Sequence, residues 1–124
     1  MIPFQARGEF LRFRDQFLEA IDPRYYCIYW LENRILNGSA HILSNDDAAI
    51  IYEVRTYPTG AKELHGLLAA GNMESIVQEL IPAAEQIARD WGCISACIES
   101  RPGWAKALKP YGYTIRQIAI EKEL

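Results

Sequence analysis

The chain lacks most of what would hold a small protein together other than a packed core. Its three cysteines, Cys27, Cys93 and Cys97, are an odd set with no Cys-x-x-Cys spacing, and its two histidines, His41 and His65, lie far from them in sequence. That pattern argues against a disulfide framework and against a zinc site, so no metal is expected. No apolar run approaches the ~20 residues a membrane span needs, and Met1 to Arg7 lacks the apolar stretch of a secretory signal. Export by a signal peptide and residence in a membrane are therefore not expected. A basic excess is missing too: 13 basic against 16 acidic residues leave a net charge of −3, which gives no general attraction for phosphate backbones. Nucleic acid is not an expected partner. Asn37-Gly38-Ser39 matches a glycosylation sequon, a three-residue pattern that arises by chance and has no secretion signal to support it.

What is present suits one domain. The 124 residues, half of them hydrophobic, can bury a core but cannot be divided into two, so residues 1–124 are expected to fold together. Phe10, Phe13, Phe17, Leu18 and Ile21 recur at helical spacing with charged residues between them, predicting a helix over 8–21 that ends at Asp22-Pro23. The run after Tyr25 is aromatic enough for a strand. Ile28, Leu31 and Ile35 keep helical spacing up to Asn37-Gly38, however, and decide for a second helix. From Ser39 the period shortens, and turn residues at 45–47 and 58–60 separate three antiparallel strands at about 39–44, 48–57 and 61–69. A helix capped by Asn72 runs to Trp91, with a kink or restart expected at Pro82. A strand at 94–99, a helix at 101–109 and a strand at 113–122 complete the order.

That order, with Ala83-Ala84-Glu85 and Ala88-Arg89 ahead of Gly92-Cys93 and a closing Gly112-Tyr113, resembles the GNAT superfamily of N-acetyltransferases. The resemblance implies a mixed α/β domain of α+β character. Its mostly antiparallel central sheet is flanked by helices, strand 94–99 runs parallel to strand 61–69, and the family's usual first strand is missing. Size and the segment Arg101-Pro102-Gly103-Trp104 are similar to the short GNAT-like proteins that tailed bacteriophages encode among their virion genes. The cysteine pattern and the missing secretion signal lead to an expected reducing compartment, most simply the bacterial cytoplasm, and the resemblance adds a phage virion as the other expected location.

The letters that carry cofactor binding in the family are changed here. The family's helix opens with Arg/Gln-x-x-Gly-x-Gly/Ala, whose backbone N–H groups receive the coenzyme A diphosphate at the positive end of the helix dipole. The matching positions are Asn72, Ser75 and Val77, with Glu74 adding a carboxylate. Any remaining acetyl-CoA site is expected to involve Ala70, Gly71, Asn72, Met73, Glu74, Ser75 and Val77, with Val77 and Glu74 intruding. The tyrosine that serves the family as general acid maps to Leu108, leaving Tyr111 as the nearest substitute. The family's general base sits on the strand that carries Glu63 and His65, which share one face by the period-two rule. Without such a role the two fit the solvated face of the sheet. Gly66, or Ala69-Ala70-Gly71, would let the sheet open where a thioester enters.

These losses favour a non-catalytic protein that needs no cofactor and acts by binding a protein partner or its own copies. The alternative is an acetyl-CoA-dependent N-acetyltransferase with a diverged diphosphate loop. For the first, Arg101, Trp104, Lys106, Lys109 and Tyr111 concentrate groups favoured at interfaces on one short element. Trp104 also suits the core, and Cys93 and Cys97, with no basic neighbour in sequence, read as inert thiols.

Overall fold

The computed structural model describes residues 4–99, 101 and 103–124, with side chains from Arg7 onward. Helix α1 (Phe4–Ala20) and helix α2 (Ile28–Leu36) precede three antiparallel strands, β1 (His41–Ser44), β2 (Ala48–Thr56) and β3 (Lys62–Gly71). A crossover of helical turns follows: α3 (Met73–Ser75), a wider π-helical stretch (Ile76–Leu80) and α4 (Ile81–Asp90). The chain then returns as β4 (Cys93–Ile98), parallel to β3, and ends with α5 (Gly103–Leu108) and a tight turn, Lys109–Tyr111. Strand order is β1-β2-β3-β4.

Each element follows from its local chemistry. Asn45 turns β1 into β2 by accepting from the N–H groups of Asp47 and Ala48, both at 2.9 Å. Asn72 opens the crossover helix, its Oδ1 accepting from Ser75 N–H at 2.9 Å. Pro82 has no N–H to give, and the widened turn before it absorbs the mismatch, so that α4 restarts with Pro82 in its first turn. Gly71 has φ +96, and a Cβ there would lie 2.2 Å from the carbonyl oxygen of Asp47, so only glycine fits between β3 and the crossover.

Two cores lie on opposite faces of the sheet. On one, Phe10, Phe13 and Phe17 of α1 and Ile28, Leu31 and Ile35 of α2 pack on Ala49, Ile51 and Ala70. On the other, Ile76, Val77, Leu80, Ile81 and Ala84 pack on Ile50, Tyr52 and Leu64. Burying a Phe or Leu side chain is worth about 1.5–3 kcal/mol, and these two layers are where the fold's stability resides.

The expected strand at 113–122 does not form. Residues 113–124 pair with no strand, and Ile115, Ile118 and Ile120 are exposed, the last at 94%. This tail is fastened by side chains: Tyr113 Oη donates to Glu85, Arg116 reaches Glu63, and Glu121 accepts from Arg24 Nη1 at 3.1 Å. The outer edge of β4 is left without a neighbour among the described residues. Helix 101–109 is shorter than expected, its last residues tightening into the Lys109–Tyr111 turn, and Pro102 lies outside the described residues.

Candidate active site

The central irregularity of the sheet is on β3. Ile51 of β2 lies opposite Leu68, but the next residue, Tyr52, lies opposite Gly66, so Leu67 is an extra residue with no cross-strand partner on β2. Pairing with β4 also stops at Gly66 and Ile98. β4 ends there, and β3 runs on to Gly71 with no further partner on that side among the described residues. Gly66 permits the close approach of the last pair, since a Cβ there would meet Ile98 Cγ1 at 3.2 Å. Beside the bulge and the end of β4 lies a cavity of about 710 Å³, within the range of small-molecule sites, which runs between Gln16 and Glu19 of α1 on one face and Ile81, Ala84 and Trp104 on the other.

Beside the cavity lies a buried polar cluster. Glu63 and His65 alternate with Leu64 on β3, which places them on the α1–α2 face, His65 level with Cys97 of β4 and Glu63 level with Ser95. They are not solvated: each is 1% exposed. His65 Nδ1 is 3.3 Å from Glu63 Oε1, and Tyr57 Oη donates to the same oxygen at 2.8 Å. Arg116 Nη1, from the tail, donates to Glu63 Oε2 at 2.5 Å. Burial alone would raise the Glu63 carboxyl, but these bonds from Arg116, Tyr57 and His65 outweigh it and hold the group below its ordinary value. On its other side His65 Nε2 is 3.5 Å from Glu99 Oε1, and Glu99 also contacts Arg55, which bonds Glu53. Glu99 and Cys97 line the cavity; Glu63 and His65 stand behind them.

The remaining candidate residues divide. Ala70 and Gly71 line the cavity, as do Arg101 and Trp104. Asn72 is occupied with capping, so the N–H of Ser75 is taken, while Met73 and Glu74, both exposed, begin the helix with no intrahelical partner for their N–H groups. Val77 does not intrude on that loop: its side chain is packed in the second core, 9% exposed, because the helical phase that puts Ile76 and Leu80 on the sheet carries Val77 with them. Tyr111 is 48% exposed on the closing turn and does not line the cavity. Tyr113 does, with its hydroxyl given to Glu85 and its ionisation pushed well above the ordinary range by burial and then by that carboxylate. Lys106 and Lys109 are exposed, and Trp104 is half-buried against the second core.

Tyr57, Glu99 and Arg116 carried no sequence signal, since nothing local ties positions 57, 99 and 116 to 63. Among the described residues, Glu63, His65 and Cys97 are the group whose ligand atoms could converge on a metal ion, lying within 4.8 Å of one another. Arg116 already places a fixed positive charge on two of the three, with Nη2 3.4 Å from Cys97 Sγ.

No family model and no curated protein matches this chain. Solved structures do. A ribosomal-protein-alanine N-acetyltransferase from Brucella melitensis biovar Abortus 2308 superposes with TM-score 0.69 over 97% of this chain and 93% of its own at 13% identity. An acetyltransferase from Trypanosoma brucei gives TM-score 0.65 over 97% and 94% at 10% identity. A predicted acetyltransferase from Clostridium acetobutylicum, solved with acetyl-CoA, gives 0.61 over 96% and 86% at 14% identity. The chain therefore has the GNAT fold, mixed α+β with a four-stranded sheet between helices. No described helix is long and apolar enough to cross a membrane.

Proposed function

We propose that this chain is an acetyl-CoA-dependent N-acetyltransferase with a diverged diphosphate loop. The observation that carries the reading is the cavity beside the Leu67 bulge, where pairing with β4 ends at Gly66, with a carboxylate, Glu99, on its wall and a buried imidazole behind it. The thioester end of the donor fits this chain better than its diphosphate end. Small residues Gly66, Ala69, Ala70 and Gly71 leave room along one wall, whereas the helix start offers only the N–H groups of Met73 and Glu74, beside a carboxylate. Acetyl-CoA would supply an activated acyl group there.

The chain's own residues supply the rest. Glu99 accepts a proton from an amine in the cavity, and His65, 3.5 Å away, can receive it in turn. Glu63 fixes the imidazole and, being held ionised by Arg116 and Tyr57, is better suited to orienting His65 than to acting as the base itself. Leu67, free of both neighbouring strands, is the backbone position on this wall available to a developing oxyanion.

A second reading, an interaction component of the kind tailed phages encode, is favoured by one observation. Asn72 takes the N–H of Ser75, and Glu74 occupies the first turn where a diphosphate would approach. On that reading Arg101, Lys106, Lys109 and Tyr111 form the contact surface. Calorimetric titration with acetyl-CoA, paired with coenzyme A release over a panel of amines and N-terminal peptides, separates the two. Binding with release dependent on an amine supports the transferase. No binding at ~1 mM, the upper end of ordinary KM values, together with no release, overturns it.

A further inference from the structure

Cys97 is the sulfur on the wall of this cavity, and behind it stand a histidine and a glutamate that no solvent reaches. We infer that Cys97 is a nucleophile that receives the acyl group from the thioester, with His65 as its proton acceptor and Glu63 as the residue that positions His65. This rests on the reading of the cavity as an acyl-thioester site. The placement is set by the parallel register, in which Cys97 lies level with His65 and Ser95 level with Glu63. One ligating atom of each of Cys97, His65 and Glu63 lies within 4.8 Å of the other two, a loose form of the arrangement in which a base activates a thiol and a third group orients the base.

The imidazole has a nitrogen to spare. Glu63 is an acceptor in its ionised form, so the Nδ1 facing it at 3.3 Å is the donor of that contact, which makes Nε2 the ring nitrogen that serves as proton acceptor in the proposed step. Glu99 lies 3.5 Å from Nε2 on a side chain 60% exposed, close enough to stabilise the imidazolium once Nε2 has taken a proton. Burial, then the Glu63 charge, lifts the Cys97 thiol above its ordinary value, while Arg116 opposes this, so the resting sulfur is a thiol that must lose its proton during attack. Arg116 Nη2, 3.4 Å from Sγ, is placed to steady the negative charge as it develops.

In the first step the Sγ–H proton passes to His65, a bond forms between Sγ and the carbonyl carbon, and the bond from that carbon to the departing sulfur breaks. The leaving thiolate takes the proton from His65. In the second step an amine attacks the acyl-cysteine, the C–Sγ bond breaks, the amine proton leaves through Glu99, and the sulfur recovers a proton. No oxidant or other reactant is needed.

The test is intact-mass measurement after rapid quenching, with peptide mapping, using two donors and no amine: acetyl-CoA, and p-nitrophenyl acetate, which needs no coenzyme A pocket. The expected result is one acetyl group per chain on Cys97 with a matching burst of leaving group. Cys27→Ser, at an exposed thiol away from the cavity, should label like the parent. Cys97→Ala and Cys97→Ser should not label at that position. His65→Gln should slow labelling by ~10²-fold or more and flatten its pH dependence, which is set by the groups facing the ring: Glu53, Arg55, Glu63, Cys97, Glu99 and Arg116. Absence of acetyl-Cys97 with both donors overturns the inference. So does amine turnover by Cys97→Ala at the parent rate, an outcome that leaves the transferase reading standing. Labelling by p-nitrophenyl acetate with no response to acetyl-CoA supports Cys97 as a nucleophile and overturns acetyl-CoA as its donor.

Discussion

Arg116 Nη1 lies 2.5 Å from Glu63 Oε2, joining a tail without secondary structure to the buried middle of β3. The pair fixes the ionisation of Glu63, and its effect on stability has a definite sign. Folding lowers the Glu63 pKa from its ordinary 4.5, despite burial, because the folded state bonds the carboxylate to Arg116, Tyr57 and His65. That contribution is present above about pH 4.5, the unfolded value, and fades as pH falls through the lower folded value. The parent protein should therefore lose stability between pH 5 and pH 3 more steeply than Glu63→Gln, as followed by urea denaturation at a series of pH values; equal slopes would show that the pair does not set the ionisation.

Two glycines with positive φ should respond unequally to alanine. Gly60, at φ +87 with open space around it, faces only the backbone cost of about 1–2 kcal/mol. Gly71, at φ +96 with the Asp47 carbonyl oxygen 2.2 Å from a Cβ, faces a collision as well, and Gly71→Ala should cost roughly 3 kcal/mol or more by chemical denaturation.

Adjacent positions on α1 test the first core in the same way. Phe17 is fully buried, and Phe17→Ala should cost ~3–5 kcal/mol. Leu18 is 47% exposed on the other side of the helix, so Leu18→Ala should stay within about 1 kcal/mol.

At the helix start the charge matters and the bulk at position 77 does not. Glu74→Gln removes an exposed carboxylate from the first turn and should tighten acetyl-CoA binding by ~2–5-fold at low salt, the gain shrinking as salt rises. Val77→Gly should give no gain in affinity and should cost ~2 kcal/mol or more of stability, because Val77 is part of the second core. A gain in affinity from Val77→Gly with stability intact would return that side chain to the ligand loop.

The sequence alone determined whatever depends on near neighbours. Asn72 caps the crossover helix, Pro82 marks its restart, Asn45 makes the first turn, and the phenylalanine spacing builds α1. A helix long enough to cross between β3 and β4 made their parallel pairing legible as well. Period-two alternation likewise put Glu63 and His65 on one face, but alternation says nothing of whether that face meets water. Only the tertiary structure decided it: Tyr57, Arg116 and the register with β4 close over these two residues and make a buried network of them. The same limit explains Val77, which is seen to be a core residue only once the crossover packs its Ile76 and Leu80 face on the sheet. It explains the tail too, because residues 113–122 can be a strand only if a sheet edge accepts them, and their side chains are instead held by Glu85, Glu63 and Arg24. Hydrogen bonds between residues far apart in the chain exist only after the fold has brought them together, and that is why the fold could be read in advance and the cluster around His65 could not.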